Sequence, residues 1–202
     1  MALLLTELQV AELFSMDAAL ERVEASLRAQ HSGQAINRSR ERIFLPGLSL
    51  HYMAAALPEE NVLGMKIYTV ARGAFRFLVL LFDATSGDLL AVIEADQLGR
   101  IRTGAASGVA TRYMAREDAA KVGLIGTGRQ ARTQLEAVSK VRKLTAARVY
   151  GRNRERLSKF CSEMSSQLAI PVERADSAEA AARFGEIVIT ATSASQDVIS
   201  GD

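Results

Sequence analysis

Val122-Gly123-Leu124-Ile125-Gly126-Thr127-Gly128-Arg129-Gln130-Ala131 decides the fold. It reads as a short apolar strand, a glycine turn and the start of a helix, in the pattern G-x-G-x-x-A. Each small residue has a physical task. Gly126 permits a tight turn off the strand, Gly128 lets a ligand's pyrophosphate approach the backbone, and Ala131 lets the helix pack closely on the strand. The start of a helix also presents N–H groups and a positive dipole end to phosphate. The pattern is weak alone. Its context strengthens it, because Ala131, Leu135 and Val138 mark an amphipathic helix and Ala147 to Tyr150 reads as a second strand about 20 residues further on.

The same rhythm continues toward the C-terminus. Arg154 to Leu168 is helical in pattern, Val172 marks a weak third strand, Ser177 to Ala182 a short helix, and Glu186 to Thr190 a fourth strand. Short strands alternating with helices predict a parallel sheet with right-handed crossovers. The expectation is a Rossmann-type parallel α/β domain over residues 117–202, incomplete at its C-terminus, because the full doubly wound order runs to about six strands.

The second strand ends in Tyr150-Gly151-Arg152-Asn153-Arg154, with Arg156 close behind. A site for NAD usually places Asp or Glu here, on the ribose hydroxyls. This chain places Arg152 there, and guanidinium groups pair bidentately with a phosphate such as the 2′-phosphate of NADP. The cofactor expected is therefore NADP or NAD, with NADP favoured; a solvated basic helix start is the plain alternative for these arginines. The cofactor contacts predicted here are Gly126, Thr127, Gly128, Gln130 and Ala131 in the turn, and Gly151, Arg152, Asn153 and Arg156 after the second strand.

Upstream the organisation differs. Met16, Leu20, Val23 and Leu27 recur at helical spacing behind Ser15 as N-cap, with Gly33 as stop. Asn61 to Val70 reads as a strand carrying Lys66. Phe75 to Phe82 and Leu89 to Ile93 read as a hairpin across a linker rich in turn formers. Ile101 to Met114 is an alanine-rich helix with Ile101, Ala105 and Val109 on one side. The expectation is an α+β domain over residues 1–116.

Composition narrows the class. The chain has 202 residues, 49% apolar and 24% charged, with a formal net charge of +2. That balance suits a soluble globular protein and gives no reason to expect nucleic acid or an anionic membrane as partner. Two histidines and one cysteine offer little to a metal site or a disulfide framework, so no metal is expected. Cys161 is read as a plain buried or half-buried thiol, and His51 has no partners that would make it a metal ligand. No stretch reaches the length of a membrane span, and Met1 to Val10 has no basic leader region. A cytoplasmic location is the expectation.

Three stretches together resemble the ornithine cyclodeaminase/mu-crystallin family: Leu63-Gly64-Met65-Lys66-Ile67-Tyr68, Ile101-Arg102-Thr103-Gly104-Ala105-Ala106-Ser107-Gly108, and the glycine turn. The resemblance covers essentially the whole chain. It implies an N-terminal domain for substrate binding and homodimer contact, and a Rossmann domain for the nicotinamide cofactor. It further implies action on a small L-amino acid or its imine by hydride transfer at the α-carbon. By the same resemblance Arg42 is a carboxylate-binding arginine, with Arg40 near enough to compete, and Arg102 is a second. Lys66 is the active-site lysine. Thr103 hydrogen-bonds the cofactor phosphate, and Thr190, Ala191 and Thr192 lie where the family contacts ribose and nicotinamide.

The chemistry agrees from below. Two arginines can clamp a carboxylate in one plane, and a partly desolvated lysine near other cations can serve as acid or base. Pattern alone leaves Lys66 open between a site residue and a surface-facing strand residue, Arg102 between a ligand and an exposed helix start, and Arg42 between a ligand and a member of a solvated charge run. Two departures from the family stand out. His51-Tyr52-Met53-Ala54 occupies the stretch where ornithine cyclodeaminases have a glutamate and a Met-Pro step, which leans toward redox members. By the resemblance, family members continue past the position of Asp202 with more strands and a catalytic aspartate, so no residue of this sequence is named for that role. Ornithine cyclodeamination (L-ornithine to L-proline and ammonia, with the cofactor recycled) and a non-catalytic NADP-binding protein or inactive fragment are the alternative readings.

Overall fold

The computed structural model describes residues 1–200; Gly201 and Asp202, the last two positions of the expected second domain, lie outside the described residues. The chain divides into two compact units, Met1–Gly99 and Arg100–Asp202.

The first unit contains strands β1 (Leu3–Leu5), β2 (Ile36–Asn37), β3 (Glu41–Leu45), β4 (Leu48–Leu57), β5 (Val62–Ala71), β6 (Ala74–Asp83) and β7 (Leu89–Glu94), with helices α1 (Glu7–Leu13) and α2 (Met16–His31). The strands form one sheet in the order β1-β7-β6-β5-β4-β2, and β3 also pairs with β4. The central run from β4 to β7 is an antiparallel meander. Its turns follow from local chemistry. Arg72 and Gly73 both take positive φ, 48° and 77°, which suits the two-residue hairpin between Ala71 and Ala74. In the expected hairpin of β6 and β7, the Asp83 carboxylate accepts from the N–H groups of Thr85 and Ser86, both at 2.8 Å. These bonds hold the Asp83 carboxyl below the usual carboxylate range.

Helix α2 starts where expected, with the Ser15 hydroxyl accepting from the Ala18 N–H at 3.2 Å. Helix α3 (Asp96–Met114) begins five residues before the expected Ile101. Its cap is not local: the Glu7 carboxylate, distant in sequence, accepts from the N–H groups of Asp96 and Gln97 at 2.7 and 2.8 Å. The division into units falls within α3, after its first turn, whereas the expected division at residues 116 and 117 lies just past its end.

The second unit runs β8 (Lys121–Ile125), α4 (Arg129–Val141), β9 (Ala146–Tyr150), α5 (Arg154–Leu168), β10 (Val172–Arg174), α6 (Ala178–Phe184) and β11 (Ile187–Thr190). Its strands are all parallel, in the order β10-β9-β8-β11. The chain steps from β8 to β9 and β10 on one side, then returns to lay β11 on the other. That reversal opens a crevice at the carboxyl ends of β8 and β11, the usual place for a ligand in such sheets. The core beneath it is dense: Val122, Leu124, Leu135, Val138, Val149, Phe160 and Met164 are fully buried. Cys161 lies in this core as a plain thiol, and burial pushes its pKa up.

Two polar devices close the base of this unit. Arg142 donates from Nη2 to the carbonyls of Thr111, Arg112 and Ala115 and from Nε to that of Arg116, tying down the last turn of α3. Glu186 accepts from the N–H groups of Ala120 and Lys121 at the entry to β8. Among the described residues no helix is long and apolar enough to cross a membrane.

Candidate functional site

In the second unit the predicted cofactor residues other than Thr103 follow the carboxyl ends of β8, β9 and β11. Gly126 takes φ +118° and donates its N–H to the Tyr150 carbonyl at 2.8 Å. A Cβ there would stand 2.1 Å from the Ala191 carbonyl oxygen, so the turn demands glycine. Gly128 is different: a Cβ there would meet nothing within 4 Å. The space over it is open to a ligand. Ala131 is fully buried against the strand. Thr127 leans on Gly151, where a Cβ would come within 2.8 Å of the threonine methyl.

The start of α4 stands apart from the other helix starts. Helices α1, α2, α5 and α6 are capped by the side chains of Thr6, Ser15, Asn153 and Ser177, and each has an acid in its first turn. Helix α4 starts at Gly128 with no side-chain cap and no first-turn acid. Helix N–H groups and the dipole there call for an anion. Gln130 adds a buried Oε1 with no hydrogen-bond partner in the protein, which a ribose hydroxyl could satisfy. These features fit the pyrophosphate and ribose of a dinucleotide.

The remaining candidates are placed as follows. Arg152, Arg154 and Arg156 are exposed beyond β9. The Asn153 side chain is engaged as the cap of α5, accepting from the Arg156 N–H at 2.9 Å. Thr190 ends β11 exposed, Ala191 donates to the Ile125 carbonyl at 2.8 Å, and Thr192 accepts from the Ala194 N–H. Thr103 is half-buried on α3, beside Gly104, whose missing Cβ lets α3 come against the Thr133 backbone of α4. Arg102 is exposed.

In the first unit the strand registers align one face. Arg42 lies opposite His51, His51 opposite Tyr68, and Tyr68 opposite Phe77. Lys66, two residues from Tyr68 along β5, points to that same face. Its Nζ sits 4.9 Å from the Phe77 ring centroid and 5.6 Å from that of Tyr68. Arg40 lies 5.8 Å from the Tyr68 ring, so Arg40 and Arg42 both reach this surface. Lys66 is half-buried, like most of β5.

His51, Ser49 and Tyr68 join this face, and no motif in the sequence assigns any of them a role. His51 stacks on Tyr68, with centroids 4.5 Å apart and planes 11° from parallel. Burial, Arg42 and Arg40, in that order, hold the imidazole below its usual pKa. Strand alternation was the available signal: residues 49, 51 and 53 share a face once β4 is recognised as a strand.

A family model for the ornithine cyclodeaminase/mu-crystallin family matches residues 1–202. The chain belongs to this family. It is 35% identical over 147 residues to a Delta(1)-pyrroline-2-carboxylate reductase of Bacillus cereus, covering 69% of this chain and 45% of that protein. It is 28% identical over 213 residues to an alanine dehydrogenase of Archaeoglobus fulgidus, covering 99% of this chain and 63% of that protein. Among solved structures, Thermococcus litoralis Delta(1)-pyrroline-2-carboxylate reductase in complex with NADH and L-proline superposes with a TM-score of 0.92 at 35% identity. That match covers 98% of this chain and 64% of the other. This family member thus spans between about half and two thirds of the length of the relatives it matches.

Proposed function

We propose that this family member works as a nicotinamide-dependent reductase of a small cyclic imine that carries a carboxylate, in the reverse direction a dehydrogenase of the L-amino acid. The supporting observation is the sheet face that aligns Arg42, His51, Lys66 and Tyr68. The resemblance adds Arg102 as the second carboxylate ligand. The reading extends to a cytoplasmic homodimer formed through the first unit, where Leu3, Leu4, Ile43, Phe44 and Leu45 are all more than half exposed.

The reduced nicotinamide, when bound, supplies the hydride that adds to the imine carbon. The protein's residues do the rest. Arg42 pairs with the substrate carboxylate and sets the plane of the ring. Lys66, its ammonium resting on the Phe77 and Tyr68 rings, gives a proton to the ring nitrogen as the C=N bond becomes C–N. Tyr68 and Phe77 supply an apolar floor that keeps water from the reacting carbon. Gly126, Thr127, Gly128, Gln130 and Ala131 hold the dinucleotide, with NADP favoured over NAD by Arg152. Redox turnover is favoured over cyclodeamination of ornithine by the cationic neighbourhood of His51: a second substrate ammonium would meet Arg40 and Arg42 instead of an acid.

The test is the absorbance of reduced nicotinamide when NADPH is mixed with 1-pyrroline-2-carboxylate. Assays run on this chain and on the longest product of its gene. Imine-dependent oxidation of NADPH by either is the expected result. No oxidation by either, with ornithine converted to proline without net cofactor change, would replace this reading by cyclodeamination.

A further inference from the structure

We propose that His51 is an additional anchor for the substrate carboxylate: Ser49 holds Nε2, and Nδ1 donates a hydrogen bond to a carboxylate oxygen lying beside Arg42. This rests on the reading that the sheet face binds a carboxylate-bearing substrate, and it assigns a specificity-determining residue to that site.

Four features of the ring support the assignment. First, its orientation is fixed. It lies flat on Tyr68, and Phe44 meets it edge-on with centroids 6.3 Å apart. Second, one nitrogen is already engaged, with Nε2 2.8 Å from the Ser49 hydroxyl oxygen. Third, the other nitrogen is orphaned: Nδ1 is buried and has no hydrogen-bond partner in the protein. Buried polar atoms almost always have a partner, so one left bare in a candidate site points to a ligand. Fourth, the cross-strand neighbour of His51 is Arg42, the residue already assigned to the carboxylate.

The chemistry of the missing partner follows from the surroundings. Burial and the two arginines lower the pKa of the ring and so favour its neutral form, which carries one N–H. If Ser49 donated nothing and accepted from Nε2–H, Nδ1 would be an acceptor and would call for a donor such as a substrate ammonium. Beside Arg40 and Arg42 that arrangement would bring three positive groups together. The other tautomer, with the Ser49 O–H donating to Nε2 and the proton on Nδ1, calls for an acceptor. A carboxylate oxygen is an acceptor and also answers the arginines. The neutral donor and the cationic fork then hold one anion between them.

The chain has only two histidines, His31 and His51, so a His31→Gln background leaves His51 as the sole imidazole for NMR. The probe is pyrrole-2-carboxylate, planar and unreactive, added with saturating NADPH; pyrrole without the carboxylate is the control. The expected result is a saturable change in the His51 ring nitrogens, with a protected Nδ1 proton, for the carboxylate alone. His51→Asn keeps a donor near the Nδ1 position and should bind the probe within about threefold of the parent. His51→Gln places its amide nearer Nε2 and should bind about tenfold or more weaker. Equal affinities for the two variants, or unmoved nitrogen signals while the probe binds, would overturn the role of His51 and leave the reductase reading in place. No binding of the probe by the parent chain and by the longest gene product would overturn both.

Discussion

A Cβ on Gly126 would stand 2.1 Å from the carbonyl oxygen of Ala191. The closeness arises because β8 and β11 are paired neighbours, and the Ala191 N–H donates to the Ile125 carbonyl at 2.8 Å just before the turn. Gly126 also takes φ +118°, which an L side chain rarely adopts. Gly126→Ala should therefore cost at least about 2 kcal/mol of stability. Gly128→Ala separates folding from binding, since its Cβ would meet open space and its φ of −84° suits any residue. That variant should melt within about 2 °C of the parent, a shift well under 1 kcal/mol, yet bind NADPH about tenfold or more weakly. Thermal melts by circular dichroism and NADPH fluorescence titrations check both; a stable Gly126→Ala protein would refute the steric account.

Glu186 makes the second unit sensitive to acid. Its Oε2 accepts from the Ala120 N–H at 2.8 Å and the Lys121 N–H at 3.1 Å, while Oε1 pairs with Arg116 at 2.8 Å. The Ala120 N–H above all, then that of Lys121 and the charges of Arg116 and Lys121, hold the carboxyl below its ordinary value of 4.5. A carboxylate whose folded pKa is depressed contributes stability that is fully present above the unfolded value. The contribution is lost as pH falls through the lower folded value. Glu186→Gln should lower the urea midpoint at neutral pH and narrow the gap between neutral and acid midpoints. A Gln variant with the parent's full acid sensitivity would show that other carboxylates govern this unit.

The two halves of the chain were not equally legible. In the second unit the signals are local. Asn153 and Ser177 cap their own helices, Gly126 breaks the strand, and Ala131, Leu135 and Val138 mark the buried side of α4. Strand β9 and helix α5 therefore fall within a residue of their expected bounds. In the first unit the signals are distant. The start of α3 depends on Glu7, far away in sequence. Strands β3 and β4 carry no clear signal in the sequence, because partly exposed strands with small residues such as Ala54, Ala55 and Ala56 lack a clear alternation. Without β4 the pairing of His51 with Arg42 and Tyr68 cannot be derived, so the unpartnered Nδ1 came only from the structure.

Lys66 should separate chemistry from cofactor binding. Its ammonium rests on the Phe77 and Tyr68 rings in the first unit, whereas the glycine turn belongs to the second. Positioned proton transfer contributes about 10²–10⁴-fold to rate. Lys66→Ala should therefore lower kcat for imine reduction by about a hundredfold or more, and change the dissociation constant for NADPH by less than about twofold. Stopped-flow and equilibrium titration of the same preparation measure both. Loss of NADPH binding in this variant would contradict the role in proton transfer.

Arg152 should decide between the two nicotinamide cofactors. It stands two residues past the end of β9, where an NAD site would present an acid to the ribose hydroxyls, and its side chain is exposed. The neighbouring Asn153 side chain is engaged as the α5 cap, so it offers the ribose less than Arg152 does. A guanidinium can take a 2′-phosphate by two parallel hydrogen bonds, but it gains little from a bare hydroxyl. Arg152→Ala should weaken NADPH about tenfold or more and NADH by less than about twofold, measured by fluorescence titration at constant ionic strength. Arg156→Ala, in the first turn of α5 and also exposed, should give a smaller effect of the same sign. Equal losses for both cofactors in the Arg152 variant would mean that this arginine only tunes the surface charge, and the preference for NADP would have to be abandoned.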